Sequence, residues 1–295
     1  MDHDTIGPVA TAGGDSADRE QGTRSHVAVI GDIAGHLGEL RAELRRLGAD
    51  DLTGRLPSGL TVVQVGDLIH RGPASDEVIA LVDRYLTEQP DQWIQLVGNH
   101  EAQYLRKPVF EWPQRLGRPA TTTLRRWWAE GRMRVATSVR GGGESYLITH
   151  AGLTAGFWRS DLCAPCDVEQ AATALNSLIG TDENALFRAG TMLLGRRSGG
   201  AGPTWAAAAT ELLPSWQSET LPFSQIHGHD SFFDWRRGRF QAGDADVARL
   251  AARTVLDEGA KHETTTLTGG RIIGIDPGHG EQPRSPWRAW ETRTT

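Results

Sequence analysis

Residues 27–99 read VAVIGDIAGHLGELRAELRRLGADDLTGRLPSGLTVVQVGDLIHRGPASDEVIALVDRYLTEQPDQWIQLVGN, and three apolar runs within them decide the fold. VAVIG (27–31), TVVQVGD (61–67) and QWIQLVGN (92–99) are short and mostly rich in β-branched residues, as buried strands are. Between the first two, LGELRAELRRLG places Leu37, Leu40, Leu44 and Leu47 on one helical stripe, with Gly48 just past its end. Between the second and third, SDEVIALVDRYL carries Val78, Ile79, Val82 and Leu86 at helical spacing, with Ser75 as the expected N-cap. Strand, helix, strand, helix, strand calls for parallel strands joined by crossover helices, so the chain is of the α/β class.

Ligands of such sheets collect at the carboxyl ends of the strands. All three strands end in glycine followed by Asp or Asn: Gly31-Asp32, Gly66-Asp67 and Gly98-Asn99. Further along, RVATSVRGGGESYLITHAG (134–152) reads as two strands joined by a glycine turn, the second ending at His150. DVEQAATALNSLIG (167–180) reads as a helix, FSQIHGHD (223–230) as a strand ending in two histidines, DADVARLAARTVLDEG (244–259) as a helix and RIIGIDPG (271–278) as a last strand. Residues 188–222, rich in Gly, Ala, Pro and Trp, carry no clear period. Repeats and linkers are absent, which predicts a disordered acidic tail over 1–25 and a single domain over 26–295.

Composition narrows the function classes. A net charge of −6 argues against a protein whose business is neutralising a nucleic-acid backbone. No apolar run approaches the ~20 residues of a membrane span, and the amino terminus lacks a secretory core, so the expected compartment is the cytoplasm. Of 31 basic residues only Lys107 and Lys261 are lysines, an arginine bias that suits bidentate phosphate binding as well as base composition. Cys163 and Cys166 form one CAPC without a second pair to complete a structural zinc site, and read as an incidental loop pair.

The polar residues at strand ends are Asp32, Asp67, Asn99, His100, His150, His227 and His229. A mixed oxygen and nitrogen set without thiolate suits Mn, Fe, Zn or Co rather than calcium. A carboxylate shared by two such ions would let them hold a phosphate and activate water. An aspartate after a strand can also simply cap the next helix, which accounts for any one of these residues but poorly for the set.

GDIAGH (31–36), GDLIHRG (66–72), GNHE (98–101), THAG (149–152) and GHD (228–230) resemble, in order, the signatures of calcineurin-like metallophosphoesterases. GNHE resembles the phosphoprotein phosphatase (PPP)-like branch, and the 25 residues between GDLIHRG and GNHE match its usual spacing. The resemblance implies two mixed β-sheets packed as a sandwich flanked by helices, and two divalent metal ions, manganese foremost among Mn, Fe, Zn and Co. It implies Asp67 bridging both ions, Asp32 on the first, and Asn99, His150 and His229 on the second. His100 would protonate the leaving oxygen and Arg71 would hold phosphate oxygens. A further phosphate arginine would come from Arg196 or Arg197, and Asp276 matches a structural strand end.

Two positions depart from the pattern. The family's Asp-x-His would put a histidine at position 34, where this chain has Ala34. Either the first metal lacks a protein ligand or His36 supplies it, and the glycine-rich loop leaves room for His36 in the expected metal set. The phosphatases carry an aspartate where this chain has His70. That residue either orients His100, with less charge stabilisation than a carboxylate, or contacts substrate. His227, two residues before His229 and on the same strand face, either supports a ligand or is simply packed. Trp112, Trp127, Trp128, Trp205 and Trp216 stack a base or belong to core and lid. The expected activity is hydrolysis of a phosphomonoester, from a phosphoprotein or small metabolite, by a metal-bound hydroxide. The alternatives are cleavage of a dinucleoside polyphosphate or other phosphoanhydride in a pocket walled by Trp127 and Trp128, and a non-catalytic phosphate-binding module.

Overall fold

The computed structural model describes residues 25–241 and 245–294; the expected acidic tail lies outside them apart from Ser25. The three opening strands are β1 (His26–Ile30), β2 (Leu60–Gln64) and β3 (Trp93–Leu96), joined by helices α1 (Leu37–Arg46) and α2 (Ser75–Glu88). Asn99 opens a further helix, α3 (Asn99–Leu105), and α4 (Arg118–Ala129) follows. β1, β2, β3 and β4 (Met133–Arg134) run parallel in one five-stranded sheet. The last strand of the chain, Trp290–Arg293, closes that sheet antiparallel to β1.

The second sheet has six strands. The hairpin β5 (Ala136–Gly141) and β6 (Glu144–Thr149) surrounds the expected glycine turn. β7 (Ser224–His227) lies parallel to β6 and to the strand Gly270–Gly274, and Thr254–Asp257 and His262–Leu267 extend the far edge.

Alternation along the strands explains the layering. Val27, Val29, Val63, Val65 and Leu96 face Val139, Tyr146, Ile148, Ile226, Ile273 and Ile275 of the other sheet, making the inner core. Ala28, Ile30, Leu60 and Val62 point the opposite way, onto Leu40, Leu44, Val78, Ile79 and Val82 of α1 and α2. Both faces of β1 and β2 are therefore buried, which is why they read as continuous apolar runs. The result is the sandwich of two mixed sheets flanked by helices, in which the ends of β1, β2 and β3 adjoin those of β6, β7 and Gly270–Gly274.

Several local expectations give way. Ser75 is the first residue of α2 rather than its cap, and its hydroxyl accepts the His70 N–H at 2.9 Å. The expected helix over 244–259 runs only Ala245–Ala251; Thr254–Asp257 becomes a strand, pairing Thr254 with Thr265 through a 2.8 Å hydroxyl contact. Residues 242–244 lie outside the described residues. The unassigned stretch holds short helices and a π-helical turn at Ala208–Leu212. No helix of the described residues is long and apolar enough to cross a membrane.

His227, on β7, is buried, and its Nδ1–H donates to the Gly228 carbonyl at 2.8 Å. Burial pulls its imidazole down to about 4 from an ordinary 6.5. The unfolded chain therefore binds a proton that the native one refuses between these values, so this contribution is complete above pH 6.5 and is lost as pH falls toward 4. Wild type should lose on the order of 3 kcal/mol more unfolding free energy than His227→Gln between pH 7 and 4. Urea titrations at both pH values check this, and parallel losses would contradict it.

Candidate metal centre

The loops leaving the strand ends are held in unusual backbone shapes. Ala34, Asp67, His70, Arg71 and His229 all have positive φ, at 50°, 52°, 72°, 66° and 64°. Non-glycine residues adopt this region at roughly 1–2 kcal/mol each, so other contacts must hold it. The Asp67 carbonyl accepts N–H bonds from Ile33 and Ala34, and the Leu68 carbonyl one from Gly35, tying the first two loops together.

Glu101, fully buried on α3, holds the second and third. Its carboxylate accepts the N–H groups of Asp67 (2.8 Å), Leu68 (2.9 Å) and Gly98 (2.9 Å). Burial, then the nearby Asp67, raises this carboxyl to about 8 despite those donors. A side chain at position 98 could not fit, since a Cβ there would fall 2.1 Å from Asp67 Oδ1. That close approach lets the His100 N–H donate to Asp67 Oδ1 at 3.0 Å.

Around the outer atom of the Asn99 amide lie His150 Nε2 (3.0 Å), His229 Nδ1 (3.1 Å) and both Asp67 oxygens (3.2 Å each). His150 Nδ1–H donates to the Val65 carbonyl at 3.1 Å, so its Nε2 turns a lone pair inward. Ligand atoms of Asp67, His150 and His229 lie within 4.8 Å of one another. His229 Nε2 is buried without a hydrogen-bond partner. Burial lowers the pKa of His150 and His229, keeping both imidazoles neutral as ligation requires. Burial alone would raise Asp67, but the histidines around it and the His100 N–H that it accepts offset burial and hold its carboxyl below the ordinary range. Converging lone pairs, neutral imidazoles and an ionised carboxylate fit a divalent cation.

A second group of carboxylates adjoins this one. Asp32 Oδ1 accepts the His229 N–H at 3.0 Å. Gly31 and Ile275 touch so closely that a Cβ on Gly31 would lie 2.2 Å from the Ile275 carbonyl oxygen, which brings the next residues, Asp32 and Asp276, to one rim. Burial, then Asp276 and Asp67, raises the Asp32 carboxyl well above its ordinary range, and burial first raises Asp276. Asp276 faces the same cavity as Asp67. His36 stands apart: its Nε2 lies 2.8 Å from the Gly280 carbonyl and its ring edge meets His279. A ligand role for His36 would require its Nε2 to leave Gly280 or its Nδ1 to serve.

His100 Nε2 lies 3.8 Å from Asp67 Oδ2, and His70 Nδ1 lies 2.6 Å from His100 Nδ1, so His70 backs His100. Arg71 lines the cavity, donates to the His279 carbonyl at 3.2 Å and lies over the Trp112 ring. The cavity, about 410 Å³, is walled by Phe110, Trp112, Trp205, Phe233 and Trp235, with Arg236 and Arg284 at its margin. The expected walls are thus corrected: Trp127 and Trp128 lie outside it, their indole N–H groups donating to Asp83 and Glu183, because the spacing of α4 turns Leu124 and Trp127 into the core. Arg196 and Arg197 are exposed and do not line the cavity. Trp216 is buried in the outer core of the second sheet, and Cys163 and Cys166 are exposed free thiols. Glu101, Tyr104, Arg236 and Arg284 join the site without a sequence expectation; Tyr104 lies one helical turn after His100, and Glu101 stands at the third position of α3, where a capping carboxylate is favoured.

Residues 25–182 match the family model for calcineurin-like phosphoesterase, and the chain belongs to that family. A zinc-dependent endopolyphosphatase of Saccharomyces cerevisiae is 34% identical over 90 residues, 29% of this chain, which spans only 25% of that relative. The fold is similar to a cold-active protein tyrosine phosphatase (TM-score 0.51, 17% identity, 88% of this chain and 72% of the other). It is equally similar to the cold-active protein-tyrosine phosphatase of a psychrophilic Shewanella species (TM-score 0.50, 16% identity, 86% and 72%).

Glu101→Ala would strand three backbone donors beside the site, at roughly 1–3 kcal/mol for each buried group left unpaired. Urea unfolding should show a loss of about 3 kcal/mol or more, together with weakened metal binding in calorimetry. An unchanged midpoint would remove Glu101 from this role.

Proposed function

We propose that the chain is a metal-dependent phosphomonoester hydrolase whose substrate is a phosphoprotein or small phosphorylated metabolite. The observation that carries this reading is the convergence of Asp67, Asn99, His150 and His229, with His100 Nε2 facing Asp67 and Arg71 beside them. Two divalent ions, manganese foremost, when bound supply Lewis acidity for the phosphoryl oxygens and lower the pKa of water. Asp67, Asn99, His150 and His229 would hold one; Asp32, Asp67 and Asp276 would hold the other. Asp276 takes the place left by Ala34, supported by its shared rim with Asp32 and by the contact that engages His36 elsewhere. Arg71 presents its guanidinium to the phosphoryl group, where a planar fork matches the charge that builds on the oxygens. His100 gives a proton to the leaving oxygen, worth about 10²–10⁴ in rate.

Phosphoanhydride cleavage is the second reading. It is favoured by the aromatic-walled cavity with Arg236 and Arg284 at its margin, room and charge for a nucleotide or a longer phosphate chain, and by the name of the yeast relative.

Phosphate release should be screened after stripping the protein and refilling it with Mn²⁺, Zn²⁺, Fe²⁺ or Co²⁺, on phosphopeptides, nucleotides, dinucleoside polyphosphates and polyphosphate. At least one metal should restore turnover of a monoester, and Asp67→Asn should abolish it; turnover by that variant would sink the scheme. Mass spectrometry of bound metal should find two ions per chain in wild type and in His36→Ala but one in Asp276→Asn. The reverse pattern would return the ligand role to His36.

A further inference from the structure

Three side chains form a line that ends at the candidate centre. Tyr104 Oη lies 2.8 Å from His70 Nε2, His70 Nδ1 lies 2.6 Å from His100 Nδ1, and His100 Nε2 faces Asp67 Oδ2 at 3.8 Å. From the other side, the Leu116 N–H donates to Tyr104 Oη at 3.2 Å. Tyr104 follows His100 by one helical turn on α3, so both project on the same face, where His70 bridges them. Trp112 stacks on the His70 ring, with centroids 5.6 Å apart and planes 13° from parallel, and meets His100 edge-on at 4.9 Å.

A contact between two Nδ1 atoms needs one donor and one acceptor, so the neutral rings hold a single proton between them. Its placement decides which nitrogen of His100 bears hydrogen. The Leu116 amide sets the direction. Because Tyr104 Oη already accepts from that amide, its hydroxyl proton is free to point at His70 Nε2. His70 then carries hydrogen on Nδ1 and donates it to His100 Nδ1. A neutral imidazole that accepts at Nδ1 carries its hydrogen on Nε2, the atom facing Asp67. The opposite direction would put two donors on Tyr104 Oη and leave its hydroxyl proton without an acceptor among these groups.

We propose that Tyr104 is a positioning residue which, through His70, holds His100 as the Nε2–H tautomer, the form able to donate to the leaving oxygen of a phosphoryl substrate. The donor's task rests on the phosphoesterase reading; the tautomer is a property of the resting protein. A carboxylate behind a catalytic histidine orients it with charge. Here the same orientation comes from a neutral relay with a fixed direction.

Tyr104→Phe removes only the hydroxyl and tests this. Long-range ¹H–¹⁵N correlation spectra of histidine-labelled protein at neutral pH, with the His100 signals identified by their loss in His100→Asn, should show the Nε2–H form in wild type. In Tyr104→Phe they should show a mixture with the Nδ1–H form. An Nδ1–H form in wild type, or an unchanged Nε2–H form in the variant, would overturn the proposal. In kinetics, kcat should fall about tenfold more on an alkyl phosphate, whose leaving group needs the proton, than on 4-nitrophenyl phosphate, with KM and metal content unchanged. Equal losses on both substrates would overturn it too, by assigning Tyr104 a merely structural role. Wild type inert towards both phosphates with metal bound would sink the monoesterase reading instead, and the spectra would still decide the tautomer.

Discussion

Three backbone N–H groups from two separate loops end on the buried carboxylate of Glu101, and the site depends on that contact. Asp67 holds a left-handed backbone that an L-residue adopts only under constraint, and Glu101 supplies the constraint from the first turn of α3. The same helix turn carries Asn99 and His100, so one short segment anchors the loop after β2 while presenting two functional side chains of its own. Loops tied to each other through main-chain bonds and a buried carboxylate cannot drift independently, and positions of ligand atoms are kept without the ion having to impose them.

Much of this was legible in the sequence, for a physical reason. Parallel strands buried on both faces must be apolar throughout, and ligand residues must follow directly where the strand opens into a loop. The string Gly-Asp, Gly-Asp, Gly-Asn therefore announced both the topology and half of the site. Asp67, Asn99, His150 and His229 come together as their positions at strand ends imply. What stayed hidden was set by contacts far apart in sequence. Asp276 reaches Asp32 only because Gly31 and Ile275 meet across the two sheets. Phe110 and Trp112, on the loop between α3 and α4, meet Trp205 from far along the chain at the cavity, whereas Trp127, the more conspicuous candidate, is claimed by the core face of its helix. Strands such as Thr254–Asp257 carry mixed polar residues at a sheet edge and lack the period that betrays a buried one.

Replacing a family histidine with Ala34, and an aspartate with His70, reshapes the centre in a consistent direction. An all-carboxylate half beside an Asn-His half would make the two metal positions chemically unlike, the first harder and the second softer. A neutral imidazole behind His100 removes one negative charge from the neighbourhood of Asp67, where three buried carboxylates already repel one another. Membership of the calcineurin-like phosphoesterase family sets the reaction class. The residues peculiar to this chain set how the charge is shared out.

Two cations at this rim, one on Asp67, Asn99, His150 and His229 and one on Asp32, Asp67 and Asp276, would each scatter anomalously. Anomalous diffraction from crystals grown with Mn²⁺, recorded on either side of the manganese edge, tests this most directly. Two peaks sharing Asp67 are predicted, with Asp276 rather than His36 against the first; a single peak, or one at His36, would contradict the account.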